Sequence, residues 1–287
     1  MMKPFTIICD NMGDLPTSFY KEHDVRMMSL TYTMEGHTYD ETHTLSSSAF
    51  YEKMRHGAMP STSQINPEQA KEAFQAIISQ GSDILCLTIS SSLSGTYQSC
   101  MIAAQSLAQK DVKIRVIDTL SGSMGEGYLI YKAVQMKEAN ASMDDIGTWL
   151  EDHKRNVCHL ITVDDLHHLC RGGRISKTSA MLGSMISLKP IIQINPEGIL
   201  IATDKCHGRK KALNFLIEQL GVQMGSHKSD IVMIAHADAP VEAQQLADEI
   251  EQRYHIPTMI SSAGPVIGAH TGPGMVALFF LGEARIQ

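Results

Sequence analysis

The chain has 287 residues, 43% of them hydrophobic, which is enough for one large domain or two modest ones with a real core. Its 24 basic and 31 acidic residues sum to −7 with no long like-charge run, which argues against a nucleic-acid or anionic-membrane surface. Six scattered cysteines (Cys9, Cys86, Cys100, Cys158, Cys170, Cys206) form no C-x-x-C pair, so neither a disulfide framework nor a zinc site is expected.

The opening MMKPFTIICDNMGDLP carries no apolar h-region with a cleavage site. No later apolar run approaches the ~20 residues of a membrane helix, so a cytoplasmic location without stable membrane insertion is expected. FTIICD reads as a strand and LPTSFYKEHD as a helix, the start of a β–α alternation. A hairpin is expected around Gly36. In STSQINPEQAKEAFQAIISQG, residues Ala70, Ala73, Phe74, Ile77 and Ile78 recur at helical spacing. Asn66 suits the N-cap, Pro67 the first helical position and Gln69 the reciprocal bond of a capping box, so STSQ is expected to be the loop before this helix.

DILCLTIS (strand), GTYQSCMIAAQSLAQ (helix), KIRVID (strand) and GEGYLIYKAVQMKEA (helix) repeat the crossover unit of a parallel sheet. The texture changes after DDIGTWLEDHKRN: a strand, two short helices, then two strands joined by NPEG, a turn signal for an antiparallel hairpin and hence a mixed sheet. The rest alternates again: helix RKKALNFLIEQL, strand DIVMIAHA, helix VEAQQLADEIEQRY, strand PTMISSAG, and PVIGAHTGPGMVALFF. The expected fold class is α/β in two closely packed domains. Residues 1–155 form a parallel-sheet layer with hydroxyl-rich loops, and residues 156–287 an α/β domain with a mixed sheet.

Ligands of open α/β sheets sit beyond the carboxyl ends of the strands, where helices begin. Ser90 to Gly95 lies at such a place, with Gly95 allowing close backbone approach and the Ser94 and Thr96 hydroxyls available to an anion. Capping of the following helix is an equally open reading of Ser94. A second hydroxyl run, Ser61, Thr62 and Ser63, precedes the neighbouring helix, and two such loops together favour a ligand. Neither contains a strong cation, which suits one carboxylate better than a triphosphate. No P-loop, dinucleotide fingerprint or G-x-S-x-G elbow is present. His270, in IGAHTGPG, is expected in a glycine-rich loop reaching across a domain cleft, as a ligand residue. His167 and His168 are adjacent on a helix and point apart, which makes no metal site, and His37 and His43 read as surface residues.

In order, the segments CDNMGDLP, STSQINPEQ, SSSLSGTYQSC, VIDTLSGSMGEG, LHHLCRGGRISK, LKPIIQINPEGIL, GRKKAL and GPVIGAHTGPGMVALFF resemble the DegV family over the whole chain. Within it, the chain is similar to the fatty-acid-binding (FakB-type) subunits of bacterial fatty acid kinase. The resemblance implies two α/β domains around one buried long-chain fatty acid, whose carboxylate is held by Thr62, Ser94 and His270 with Ser63 and Gly95 close by. It implies no cofactor and no catalytic step of the chain's own. The implied partner is a kinase catalytic subunit, docking on basic residues Arg171, Arg174, Lys205 and Arg209, with Arg171 foremost; transient membrane contact is compatible with it. Eighteen methionines against seven phenylalanines and one tryptophan suit adaptable walls for an acyl chain, although methionine also simply fills cores. The sequence departs from the family at Asn11, where a serine is usual, and at Cys206 and His207, where an arginine is common. Two alternatives stay open: a serine hydrolase or acyltransferase using Ser94 and His270, and a lipid carrier whose partner is not a kinase.

Overall fold

The computed structural model describes residues 3–40, 42–108, 111–176, 187–226, 229–283 and 285. In chain order the first elements are β1 (Phe5–Asp10), α1 (Thr17–Glu22), β2 (Arg26–Met28), β3 (Thr31–Met34), β4 (His37–Tyr39), α2 (Ser47–Arg55) and β5 (Ser61–Ser63). There follow α3 (Pro67–Ile78), β6 (Asp83–Thr88), α4 (Thr96–Ser106), β7 (Ile114–Asp118), α5 (Met124–Glu138) and α6 (Met143–His153). The remainder comprises β8 (Val157–Thr162), α7 (His167–Arg171), β9 (Leu188–Ile194), β10 (Leu200–His207), α8 (Arg209–Met224), β11 (Val232–His236), α9 (Pro240–Tyr254), β12 (Thr258–Ser262), α10 (Pro265–Thr271) and β13 (Val276–Leu281). The chain divides into two units, Met1–Leu30 with Ser63–Lys154, and Thr31–Thr62 with Arg155–Gln287.

The first unit is built on a four-stranded parallel sheet of order β2-β1-β6-β7. Every residue of the central strand β6 is buried, the pattern of a parallel strand covered on both faces. Helix α3 begins with the expected capping box: Asn66 accepts the Gln69 N–H at 3.0 Å, and the Gln69 side chain accepts the Asn66 N–H at 2.9 Å.

The second unit holds a six-stranded mixed sheet, β10-β9-β8-β13-β11-β12, in which only β11 and β12 pair in parallel. The NPEG turn closes the antiparallel β9–β10 hairpin as expected. Leu160, Ile191, Val232, Ile234, Leu278 and Phe280 on one face of the sheet meet Leu216, Leu220, Leu246 and Ile250 of α8 and α9. Each such side chain contributes roughly 1.5–3 kcal/mol when fully buried. The other face has its own apolar row. His159 pairs opposite Phe279, Phe279 opposite Met233, and Ile161 opposite Ile192; all five are buried and none belongs to the α8–α9 core.

Segment 31–62 belongs with the second unit, whereas the sequence pattern assigns it to the first. Its ties are long-range: the Tyr51 hydroxyl donates to the Ala263 carbonyl at 2.8 Å, and Arg55 donates Nε and Nη2 to Asp238 at 3.1 and 3.0 Å. The segment contains the hairpin expected at Gly36, with Glu35 and Gly36 both at positive φ, the geometry of a type I′ turn. It also contains helix α2, which the sequence reading passed over despite its Ser46 N-cap and its buried Phe50, Tyr51 and Met54. STSQ is not a simple loop. Ser61–Ser63 forms β5, an edge strand in the sheet β4-β3-β5. Extended backbone alternates its side chains, so Thr62 is half-buried while Ser61 and Ser63 are exposed. The second of the two short helices expected after β8 falls on residues 177–186, outside the described residues. No described helix is long and apolar enough to cross a membrane.

Candidate functional site

In the second unit, strand alternation and helix α10 bring together two residues 208 positions apart: Thr62 Oγ1 and His270 Nε2 are hydrogen-bonded at 2.9 Å. His270 is the penultimate residue of α10, not part of a loop as the glycines suggested. The glycines serve the reversal that follows it. Gly272 and Gly274 both have left-handed φ, +74° and +85°, and a Cβ at either would overlap His168 or Asp164 respectively. The opposite ring nitrogen, Nδ1, is buried without a hydrogen-bond partner among the described residues and faces Gly172, whose missing Cβ leaves room for it. Burial first, then the charges of Arg174 and Arg171, hold the His270 imidazole down to about 4, so the ring is neutral at pH 7.

Of the four basic residues expected at a partner surface, Arg171 is exposed on α7 with Nη2 3.2 Å from His168 Nδ1, and Lys205 is exposed on β10. Arg174 is half-buried and donates Nη1 to the Gly172 carbonyl at 2.5 Å. Arg209 is engaged elsewhere, gripping both Glu242 oxygens from Nε at 3.1 Å, so its charge is already matched within the chain. An open groove of roughly 600 Å³ between α8 and α9 is rimmed by this same ion pair and contains neither Thr62 nor His270.

In the first unit the hydroxyl loop lies where expected, between β6 and α4. Ser94 Oγ accepts the Thr96 N–H at 3.3 Å and lies 3.0 Å from Thr96 Oγ1, so it braces the first turn of α4 while remaining half-exposed. Gly95 donates its N–H to Gln64 Oε1 at 3.1 Å, and a Cβ there would overlap that side chain. The base of the loop is clamped by aspartates on the two strands that flank β6. Asp10 accepts the N–H of Ile89 at 2.8 Å and of Met12 at 3.0 Å; Asp118 accepts those of Ser91 at 3.1 Å and Leu120 at 3.0 Å. Two buried carboxylates therefore hold the amides on either side of Ser90.

A family model described as an uncharacterised protein, DegV family, matches residues 4–283. The chain belongs to the DegV family. A DegV domain-containing protein of Clostridium perfringens is 42% identical over 289 residues, covering 99% of each chain. Among solved structures, a fatty acid binding DegV family protein from Streptococcus agalactiae superposes with a TM-score of 0.88 at 27% identity, over 99% of this chain and 100% of that one. DegV, a fatty acid binding protein from Bacillus subtilis, gives 0.86 at 27% identity over 98% and 100%.

Against the DegV-family pattern, the departure at Asn11 has a local reason. Its amide accepts the Leu30 N–H at 2.9 Å and donates to the Leu30 carbonyl at 3.3 Å, pairing with the backbone from both ends of one side chain. A serine hydroxyl has one proton and one oxygen for the same task. Gln64, Asp118 and Glu126 went unnoticed in the sequence; the available signals were an amide closing the STSQ run, an acid at the end of a strand and an acid in the first turn of a helix.

Proposed function

We propose that this DegV-family protein binds one long-chain fatty acid, holds its carboxylate through neutral donors, and presents it in the cytoplasm to a separate ATP-dependent kinase subunit that forms the acyl-phosphate. The observation that carries the reading is the Thr62–His270 pair, a neutral imidazole bonded to a hydroxyl. Such a set recognises an anion without neutralising it. The buried row of Ile161, Ile192, Met233 and Phe279, with His159 among them, is largely apolar, the surface character an acyl chain needs. Related DegV-family proteins described as fatty-acid-binding support the ligand class. Hydrolysis is the weaker reading: among the described residues His270 Nδ1 has no carboxylate to orient it, which a Ser-His or Thr-His pair needs to act as a base.

The reading assigns the carboxylate to Thr62 and His270, and to Ser94 with Ser63 and Gly95 beside it. Thr62→Ala and Ser94→Ala should each weaken fatty-acid binding about tenfold, since one hydrogen bond to a charged group is worth roughly 1.5 kcal/mol or more. Isothermal titration with a defined fatty acid measures this, with the unfolding midpoint checked for Ser94→Ala because its hydroxyl also braces α4. Wild-type affinity in both variants sinks the assignment. Native mass spectrometry separates the two chemistries: a lipid that leaves on denaturation supports binding, an acyl adduct supports a nucleophile.

For the partner, Arg171→Ala is expected to leave fatty-acid affinity unchanged while slowing acyl-phosphate formation in a mixture with the kinase subunit and ATP. Exposed charges act mainly on association, so the wild-type reaction should also slow as salt rises at saturating lipid. Loss of lipid and turnover together would place Arg171 in the pocket; loss of neither would make it a solvated side chain.

A further inference from the structure

Glu126, in the first turn of α5, is 0% exposed, and neither carboxyl oxygen has a hydrogen-bond partner of ordinary donor type among the described residues. It faces the carboxyl group of Asp10, which is also 0% exposed. The charges acting on Glu126 are Asp10, Asp14 and Asp118, all negative. Two ionised carboxylates in contact, out of water and without a cation, are strongly disfavoured; one of them must hold a proton. The hydrogen bonds decide which. Burial raises the Asp10 carboxyl to about 6, but it accepts two backbone amides, from Ile89 and Met12, which favour its ionised form. Glu126 accepts none, so the proton belongs to Glu126.

We propose that Glu126 is a protonated carboxylic acid that donates to Asp10 and so acts as a positioning residue for the serine loop. The bond runs from the Glu126 O–H to Asp10, from Asp10 to the Ile89 N–H, and from there into the Ser90–Gly95 loop. The other groups facing the pair are Cys9 on β1, Cys86 on β6, whose thiol burial pushes well up so that it stays neutral, Asp14 in the loop after β1, which accepts the Ser123 hydroxyl at 2.6 Å, Tyr20 on α1 and Asp118 at the end of β7. Burial pushes the Cys9 thiol and the Tyr20 phenol well up, so both stay neutral and neither supplies a counter-charge. Burial, then the Asp10 charge, raises Glu126 in the same way, and the two carboxyls titrate as a pair. The sign follows. A carboxyl whose folded-state value lies above the unfolded value of about 4.3 contributes stability that is complete below that value and is lost as pH rises toward the folded one.

The proton assignment stands by itself; its effect on ligand affinity rests on the fatty-acid reading above. Infrared spectra of the wild-type protein at neutral pH should contain the carbonyl band of a buried protonated acid, and Glu126→Gln should remove it. Glu126→Gln keeps a neutral donor toward Asp10, so it should retain wild-type fatty-acid affinity and lose less stability than wild type as pH is raised. Glu126→Leu has no donor and should weaken fatty-acid binding about tenfold. The proposal is overturned if the band is missing, if Glu126→Gln is as damaging as Glu126→Leu, or if elemental analysis finds a stoichiometric metal cation doing the proton's work. If the protein binds no fatty acid, the functional reading falls while the band and the pH dependence of Glu126→Gln still decide the proton. The same two measurements decide it if Glu126→Leu does not fold.

Discussion

Gly172→Ala is expected to weaken fatty-acid binding about tenfold while leaving the fold intact. Gly172 follows α7 with φ −67° and ψ −12°, a conformation alanine adopts without strain. The obstacle is a side chain: the new Cβ would overlap His270 Nδ1 and lie 3.1 Å from Cε1. The ring cannot simply retreat, because its far nitrogen is held at 2.9 Å by Thr62. Displacing it breaks that bond and takes the imidazole out of the proposed carboxylate site; the mutual bond already uses one of the pair's two protons, so one donor to the ligand is lost, worth roughly 1.5 kcal/mol or about tenfold. Calorimetric titration reads the affinity and thermal unfolding reads the fold. His270→Ala should add little to Gly172→Ala in the double variant, since both remove the same interaction. A well-folded Gly172→Ala protein with wild-type affinity would take His270 out of the ligand site.

The largest stability loss is expected from Gly127→Ala. A Cβ at Gly127 would overlap the backbone carbonyl oxygen of Gly13 and lie 3.1 Å from Leu15 Cγ, both in the loop that follows β1. A backbone oxygen cannot swing aside, so either α5 shifts or the loop does. The loop carries Asp14, bonded to Ser123 at the start of α5, which resists that movement. Overpacking of this kind costs typically 1–3 kcal/mol, and contact with backbone rather than a flexible side chain puts this case at about 3 kcal/mol or beyond. Denaturant unfolding measures it. A loss below about 1 kcal/mol would show that the loop can retreat and that the approach of α5 to Gly13 is not what requires glycine here.

Several features were legible in the sequence because they are local. The Asn66–Gln69 capping box, the NPEG hairpin and the Gly36 turn depend on hydrogen bonds between residues a few positions apart, and the β–α alternation of the first unit follows from apolar runs of the right length. Thr62, Ser94 and His270 could be singled out as residues, through hydroxyls at strand ends, glycines around a histidine, and resemblance to DegV-family segments. What they touch could not. A three-residue strand such as Ser61–Ser63 has no period to detect, and the Thr62–His270 bond spans 208 residues. GEG at residues 125–127 carries no recognisable fingerprint; only the fold makes Gly127 a point of close backbone approach and Glu126 a buried acid against Asp10. Arg209 looks like any surface cation until Glu242, on the neighbouring helix, is found gripping it. Charge state and partner choice are set by which distant groups share a dry environment, and local periodicity contains no information about that.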